Sequence, residues 1–304
     1  MGYGEFTAVR RLPGKDLQTP KERRMVKPFI CIQSDFDTQG GAPSCMHGII
    51  LSVDPELRIY DLSHQIPRFQ PWAASWTLSY VMPCWPVGTI FVSVVDPGVG
   101  GPRRAAAAKT ADGYYIISPD NGSLTHVKSE PGIAEVREID EKTNRRPGTE
   151  QFNTFHGRDI FAYTAARLAS GIIGYEQTGP AYPVDTIVSY PLPPPLIIPG
   201  CARGIIVSAN THFGTVVSDI RIGGFEQAGF VYGDRTLVEI LHEGTVVFKG
   251  TVLYHRSFGS VPVGDPVIYN GSTGHIYLSL NQASFVEKYK IGAGSGWQIE
   301  FRRS

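Results

Sequence analysis

Residues 89–96, TIFVSVVD, are apolar at nearly every position and end on a carboxylate. A strand with one wet face alternates polar and apolar residues. This one does not, so both of its faces must be covered, which is the condition of a strand inside a parallel sheet flanked by helices. The neighbouring segments agree. FICIQSDFD (29–37) reads as a buried first strand ending in acids, and RIYDLS (58–63) as a second, followed by the loop HQIPRFQP. WAASWTLSYVM (72–82) has helical spacing, and YYIISPDNGSL (114–124) reads as a strand with a polar turn opening a helix. FHGRDIFAYTAARLASG (155–171) puts Ile160, Phe161, Ala165 and Leu168 on one helical face and stops at Gly171.

The pattern changes at SYPLPPPLIIPG (189–200), a stiff proline-rich connector. Beyond it only strand signals remain, including TLVEILHEGTVVFKGTVLYH with a turn at Glu243-Gly244. Short strands joined by glycine turns predict a small antiparallel barrel or sandwich. The expected organisation is a basic, disordered arm over 1–27, an α/β domain with a mostly parallel central sheet over 28–188, a linker over 189–200, and an all-β, barrel-like domain over 201–304.

The 28 basic residues balance the 28 acidic ones, so no bulk charge draws the chain to nucleic acid or membrane. No apolar run approaches the ~18 residues of a membrane span. Cys31, Cys45, Cys84 and Cys201 form no CxxC pair. They are expected to be reduced, buried thiols of a cytoplasmic protein.

VVDPGVGGPRR (94–104) poses the functional question: why should a hydrophobic strand stop at Asp96, turn through glycines, and return with Arg103 and Arg104? In parallel α/β sheets, ligands sit at the carboxyl ends of the strands, where Asp35, Asp96 and Asn121 all fall. Asp96, Arg103 and His156 could converge there to hold and polarise a water. The plain alternative is a surface Asp–Arg pair and a helix-start histidine. Asp35 is placed to accept the two hydroxyls of a ribose, or else simply caps a turn. GVGG lacks the Gly-Lys-Ser/Thr ending of a phosphate loop, and GxGxxG, HExxH and GxSxG are absent, so no cofactor or metal is expected.

SDFD, VVDPGVGGPRR, PDNGSL, FHGRD and HFG, in this order and spacing, resemble the SAM hydroxide adenosyltransferases and their halogenating relatives, fluorinase and chlorinase. The resemblance runs from about residue 28 to the end. It implies an N-terminal α/β domain, a C-terminal β-barrel, and a homotrimer with active sites between subunits. It also implies that Asp96, Arg103 and His156 activate water, because the halogenating branch replaces that His and Asp. Asp35 matches the family's ribose-binding acid, Phe69 the aromatic beside the ligand, and Phe155 the stacking aromatic before the histidine. Ser272 matches a serine that helps bind the amine. Gly157, Phe213 and Asn281 complete the implied substrate-binding set.

The departures collect at the methionine end. Gly40 and Ala42 stand where SAM-using relatives carry an acid and often a serine. In NTHFGT, Thr211 replaces the acid that binds the methionine ammonium, and Thr215 the amide that contacts adenine. A charged hydrogen bond contributes roughly 1.5–3 kcal/mol, so losing two such carboxylates removes much of the hold on a zwitterionic tail. The leading expectation is therefore hydrolysis of adenosine to adenine and ribose. The alternative is the family reaction, SAM and water giving adenosine and methionine, and the third reading is a non-catalytic adenosine- or SAM-binding protein. Glycosidic cleavage needs the water near C1′ rather than C5′, so the sugar would have to sit differently.

Trp72, Trp76, Trp85 and Trp297 read as core or subunit-contact residues. His47, His64, His126, His242, His255 and His275 have no ligand spacing and read as structural or surface residues. His212 neighbours the departing threonines. Asp120 and Asn121 read as turn-forming.

Overall fold

In the computed structural model, residues 27–303 are described. The arm expected over 1–27 lies outside them apart from Lys27, whose ammonium sits 2.6 Å from Asp54 and 3.0 Å from Glu56.

The first domain is a six-stranded sheet in the order β2-β1-β3-β5-β4-β6. Its strands are β1 (Phe29–Ser34), β2 (Arg58–Ser63), β3 (Ile90–Val94), β4 (Ala105–Thr110), β5 (Tyr115–Pro119) and β6 (Ile133–Glu138). β2, β1, β3 and β5 run parallel, and only β4 opposes its neighbours. The period of two explains why β1 and β3 read as continuously apolar. Ile30, Ile32, Ile90, Val92 and Val94 bury one face, with Met46 and Ile50 of α1 (Ala42–Val53) packed on it. Cys31, Phe91 and Ile116 bury the other, against Leu78 of α2 (Pro71–Val81) and Val127 of α3 (Thr125–Ser129). A short α4 (Glu141–Asn144) follows β6.

The helix expected over 155–171 is two pieces. A π-helical stretch, Gly157–Ala162, leads into α5 (Tyr163–Ala169). Apolar periodicity does not separate a wide turn from a regular one, because both keep a buried face. Gly157 permits close packing here: a Cβ on it would lie 3.2 Å from the Phe36 ring and 3.3 Å from Val94.

The second domain is a barrel. Its sheet runs β14-β10-β11-β12-β13-β9-β8-β7, and pairing of β14 with β8 closes seven strands, leaving β7 outside. The strands are β7 (Leu196–Ile198), β8 (Cys201–Asn210), β9 (Thr215–Arg221), β10 (Arg235–His242), β11 (Thr245–Tyr254), β12 (Pro266–Asn270), β13 (His275–Leu280) and β14 (Gly294–Arg303). β10 and β11 are joined by Glu243 and Gly244, both at positive φ, 48° and 82°, as a tight hairpin turn requires. Two short helices, α6 (Ile222–Gln227) and α7 (Phe285–Tyr289), interrupt the run of strands that sequence alone suggests. They bury Phe225 and Phe285 in the barrel core. The connector is not wholly a linker, since Leu196–Ile198 pairs with β8 as an edge strand.

Trp72 and Trp76 pack against Ile205, Val207 and Val217 of the barrel, and the Trp72 indole donates to the Val207 carbonyl at 2.8 Å. The cysteines are free, and Cys45 and Cys84 are exposed rather than buried as composition suggested.

Candidate active site

β3 delivers Asp96 to the carboxyl edge of the sheet, and the turn after it brings Arg103 back. Gly100, at φ 76°, makes this possible, because a side chain there would strike the Asn153 carbonyl. Arg103 Nε lies 3.1 and 3.0 Å from the two Asp96 oxygens, and its Nη2 lies 2.5 Å from Oδ2. Both side chains are nearly buried, at 3% and 10% exposure, so this is not a surface pair. The same Nη2 donates to His156 Nδ1 at 2.9 Å. His156 stands at the start of the π-helical stretch and is itself buried.

The second arginine turns away. Arg104 donates to the Thr186 hydroxyl at 3.1 Å and lies over the Tyr182 ring. The paired bases therefore part company: one joins Asp96 and His156, and the other fastens a loop.

His156 is held neutral. Burial lowers its pKa, and the guanidiniums of Arg103 and Arg145 push the same way, against Glu141 and Asp96. Arg145 Nη2 sits 3.4 Å from His156 Nε2 and 2.5 Å from Glu141. Both guanidiniums can only donate and a neutral ring has one lone pair; the shorter contact, to Arg103, places it on Nδ1, which leaves the ring proton on Nε2 and the 3.4 Å approach of Arg145 without a hydrogen bond. Of the trio, Asp96 is the member that borders the adjoining space.

That space is a hollow of about 300 Å³ lined by Asp35, Phe36, Arg68, Phe69 and Asp96. Asp35 accepts the Phe69 backbone N–H at 2.9 Å, holding that residue at φ 62° with its ring 70% exposed. The remaining lone pairs of Asp35 stay available to hydroxyls. Phe36 meets Phe155 edge to face at 5.7 Å and packs on Gly157, so Phe155 and Gly157 stand behind the wall rather than in it. Two carboxylates, two aromatics and a guanidinium around one hollow can hold a sugar diol and orient a water.

The barrel residues gather elsewhere. A hollow of about 430 Å³ is lined by His212, Phe213, Phe258, Leu280, Asn281, Gln282, Ala283 and Ser284. Phe213 is 71% exposed there, while Asn281 is buried and donates to the Val261 carbonyl at 2.8 Å. Thr211 is exposed in the adjoining loop and Ser272 in the turn before β13; neither lines this hollow. Thr215 is buried in β9 and accepts from the Ser279 hydroxyl at 2.8 Å, so it is tied into the barrel wall. Neither hollow is lined by both sets of residues.

The fold and the trio can be set beside known proteins. Family models match both halves: the SAM hydroxide adenosyltransferase N-terminal domain over residues 30–179 and the C-terminal domain over 204–298. The chain belongs to the SAM hydroxide adenosyltransferase family. It is 33% identical over 257 residues to the (R)-S-adenosyl-L-methionine hydrolase of Salinispora tropica, covering 84% of this chain and 90% of that one. The fluorinase of an Actinoplanes strain is 29% identical over 293 residues, covering 88% and 95%. A crystal structure of an uncharacterized conserved protein from Thermotoga maritima superposes with a TM-score of 0.79 at 27% identity, over 90% of this chain and all of that one.

Sequence reading of this adenosyltransferase homologue missed Phe36, Arg68 and Arg145. Arg68 stands beside Phe69, yet nothing in IPRFQP distinguishes it from an ordinary loop cation. Arg145 reaches His156 only through tertiary folding. Asp120 and Asn121, read as turn-forming, make hydrogen bonds to other segments. Asn121 donates to the Val95 carbonyl at 2.9 Å, bracing the residue before Asp96, and Asp120 accepts from the Val188 N–H and the Tyr182 hydroxyl.

Proposed function

We propose that this chain is a hydrolase that directs an activated water at an adenosyl substrate. The observation that carries the reading is the buried Asp96–Arg103–His156 trio, whose carboxylate opens into the hollow containing Asp35. Asp35 binds the ribose diol, and Phe69 and Phe155 flank the nucleoside. Asp96 orients the water and accepts its proton, Arg103 fixes the carboxylate, and neutral His156 fixes Arg103. No cofactor is needed for this reaction.

The substrate reading that follows from the residues is adenosine, cleaved to adenine and ribose. Gly40, Ala42 and Thr211 leave the methionine end without the carboxylates that would neutralise an ammonium. Asp37, in the same loop, turns its carboxylate onto the Thr38 N–H. A second reading, SAM and water giving adenosine and methionine, is favoured by the relatives named (R)-S-adenosyl-L-methionine hydrolase. Under it, Thr211, Ser272 and backbone groups hold the tail.

The separation of the two hollows supports an assembly in which the barrel of one subunit closes over the α/β hollow of another. This is the homotrimer implied by the family resemblance. The exposed Phe69 and Phe213 rings would then face each other's pockets across the interface.

Chromatography of products after incubation with adenosine and, separately, with SAM tests the reading. Adenine and ribose from adenosine, with SAM intact, support the nucleoside reaction. Adenosine from SAM, without adenine, restores the family reaction. Neither product from either compound, with both bound, leaves a binding protein.

A further inference from the structure

His47 of α1, Asp61 of β2 and His64 just beyond β2 bring one ligand atom each to within 4.8 Å of one another. His47 Nε2 lies 2.7 Å and His64 Nε2 2.9 Å from the same Asp61 oxygen, Oδ1. The His64 side chain is only 3% exposed, and its Nε2 lies 2.9 Å from the carboxylate but off the line of a well-formed hydrogen bond. Its other nitrogen, Nδ1, is engaged by the Ser34 hydroxyl at 2.7 Å. A proton on Nδ1 donated to Ser34 leaves a bare Nε2 lone pair beside a carboxylate oxygen, an arrangement that a cation between them satisfies.

We propose that His47, Asp61 and His64 form a binding site for a late first-row divalent cation of the zinc class. Two imidazoles and one carboxylate suit Zn(II), Co(II) or Ni(II) and disfavour magnesium and calcium, which take oxygen ligands. Ser34 is the outer partner that fixes the His64 ring with Nε2 toward the metal. Metal–ligand bonds of about 2.0–2.1 Å need the three atoms to spread by roughly half an ångström from their present spacing. His47 and Asp61 can give that room, being 31% and 44% exposed. Their exposure leaves the remaining coordination positions to water.

The site ties three elements together beside the substrate hollow. The Asp37 N–H donates to the His64 carbonyl at 2.8 Å, and the Ile66 N–H to the Ser34 carbonyl at 3.2 Å. The segment carrying His64 is thus stitched to both sides of Asp35, and the cation acts as a structural clamp at that strand end. The proposal does not depend on the identity of the substrate.

The test is titration of chelator-treated full-length protein with Zn(II) by calorimetry and with Co(II) by visible absorption. Stoichiometric binding, with cobalt d–d bands and no thiolate charge-transfer band, is expected, along with a higher Tm in the presence of metal. His47→Ala and Asp61→Asn, at a half-buried and an exposed position, should abolish the binding, and Ser34→Ala should weaken it by roughly 10- to 100-fold. Absence of binding by the parent protein overturns the proposal. So does binding that persists in both variants, or a thiolate band that assigns the metal to a cysteine such as Cys45 or Cys84.

Discussion

Arg103 grips Asp96 through two nitrogens and, with one of them, also holds His156 Nδ1 at 2.9 Å. One guanidinium therefore sets the orientation of both other members of the trio. Its planar fork is the feature that matters. Arg103→Lys keeps the charge but loses the two-point grip, and is expected to lower kcat about 10²-fold or more by freeing the carboxylate to rotate. Asp96→Asn should cost about 10²–10⁴-fold, the usual range for removing a proton acceptor. Steady-state rates on whichever substrate turns over check both, and activity within threefold of the parent would remove Asp96 from the chemistry.

The neutral state of His156 gives a pH signature. Because burial and two guanidiniums depress its pKa, protonation that disrupts the Arg103 contact comes only below the ordinary histidine value of 6.5. The acid limb of kcat should lie below that value. Arg145→Gln removes one of the depressing charges and should move the limb upward. A limb at or above 6.5 in the parent enzyme would contradict this account of the ring.

Binding should separate from chemistry at Asp35. Asp35→Ala removes the proposed diol acceptor and the acceptor for the Phe69 N–H at once. A loss of roughly 1.5–3 kcal/mol, the usual worth of a charged hydrogen bond, corresponds to a rise in KM of roughly 10- to 160-fold. A 2′-deoxy substrate should lose much less in the variant than in the parent, because its missing hydroxyl has no partner left to lose. Equal losses in both proteins would place the ribose elsewhere.

The methionine end can be rebuilt. If carboxylates were lost when SAM binding was lost, Gly40→Asp with Thr211→Asp should improve SAM binding relative to adenosine by about tenfold or more, measured by calorimetry on the inactive Asp96→Asn background. An unchanged ratio would mean the substrate tail, if there is one, is held by other groups.

Acid stability should be governed far from the site. His126 is wedged against Trp72 and Trp76, with ring centroids 4.6 and 5.6 Å away, and neither of its ring nitrogens has a hydrogen-bond partner. His275 lies 5.2 Å from Trp76 on the barrel side of the same seam. Burial pushes each pKa from 6.5 down to about 4. The unfolded chain takes up these protons first as pH falls. Stability should therefore decline from about pH 6.5 to about pH 4 and then level off, by up to roughly 3 kcal/mol per ring. Urea melts across this range should show the slope, and His126→Phe should remove about half of it. A flat profile would mean the seam is hydrated.

The sequence by itself made the parallel half of the first sheet and the candidate trio legible, but not the strands β4 and β6. An apolar run such as TIFVSVVD has no stable place except between two covered faces, and the strand ends at Asp35 and Asp96 follow from where those runs stop. Asp96 and Arg103 share one turn and so were legible together, whereas His156 joined them only as what the family resemblance implies. Tertiary structure decided what depends on residues far apart in the chain. It divided Arg103 from Arg104, since their partners, Asp96 and Thr186, lie in different segments. It buried Thr215 in the barrel wall and tied it to the Ser279 hydroxyl. It set Arg145 beside His156 and gathered His47, Asp61 and His64 from a helix, a strand and a loop. No spacing in the sequence encodes such a meeting, because it is made by packing α1 beside the edge strand β2.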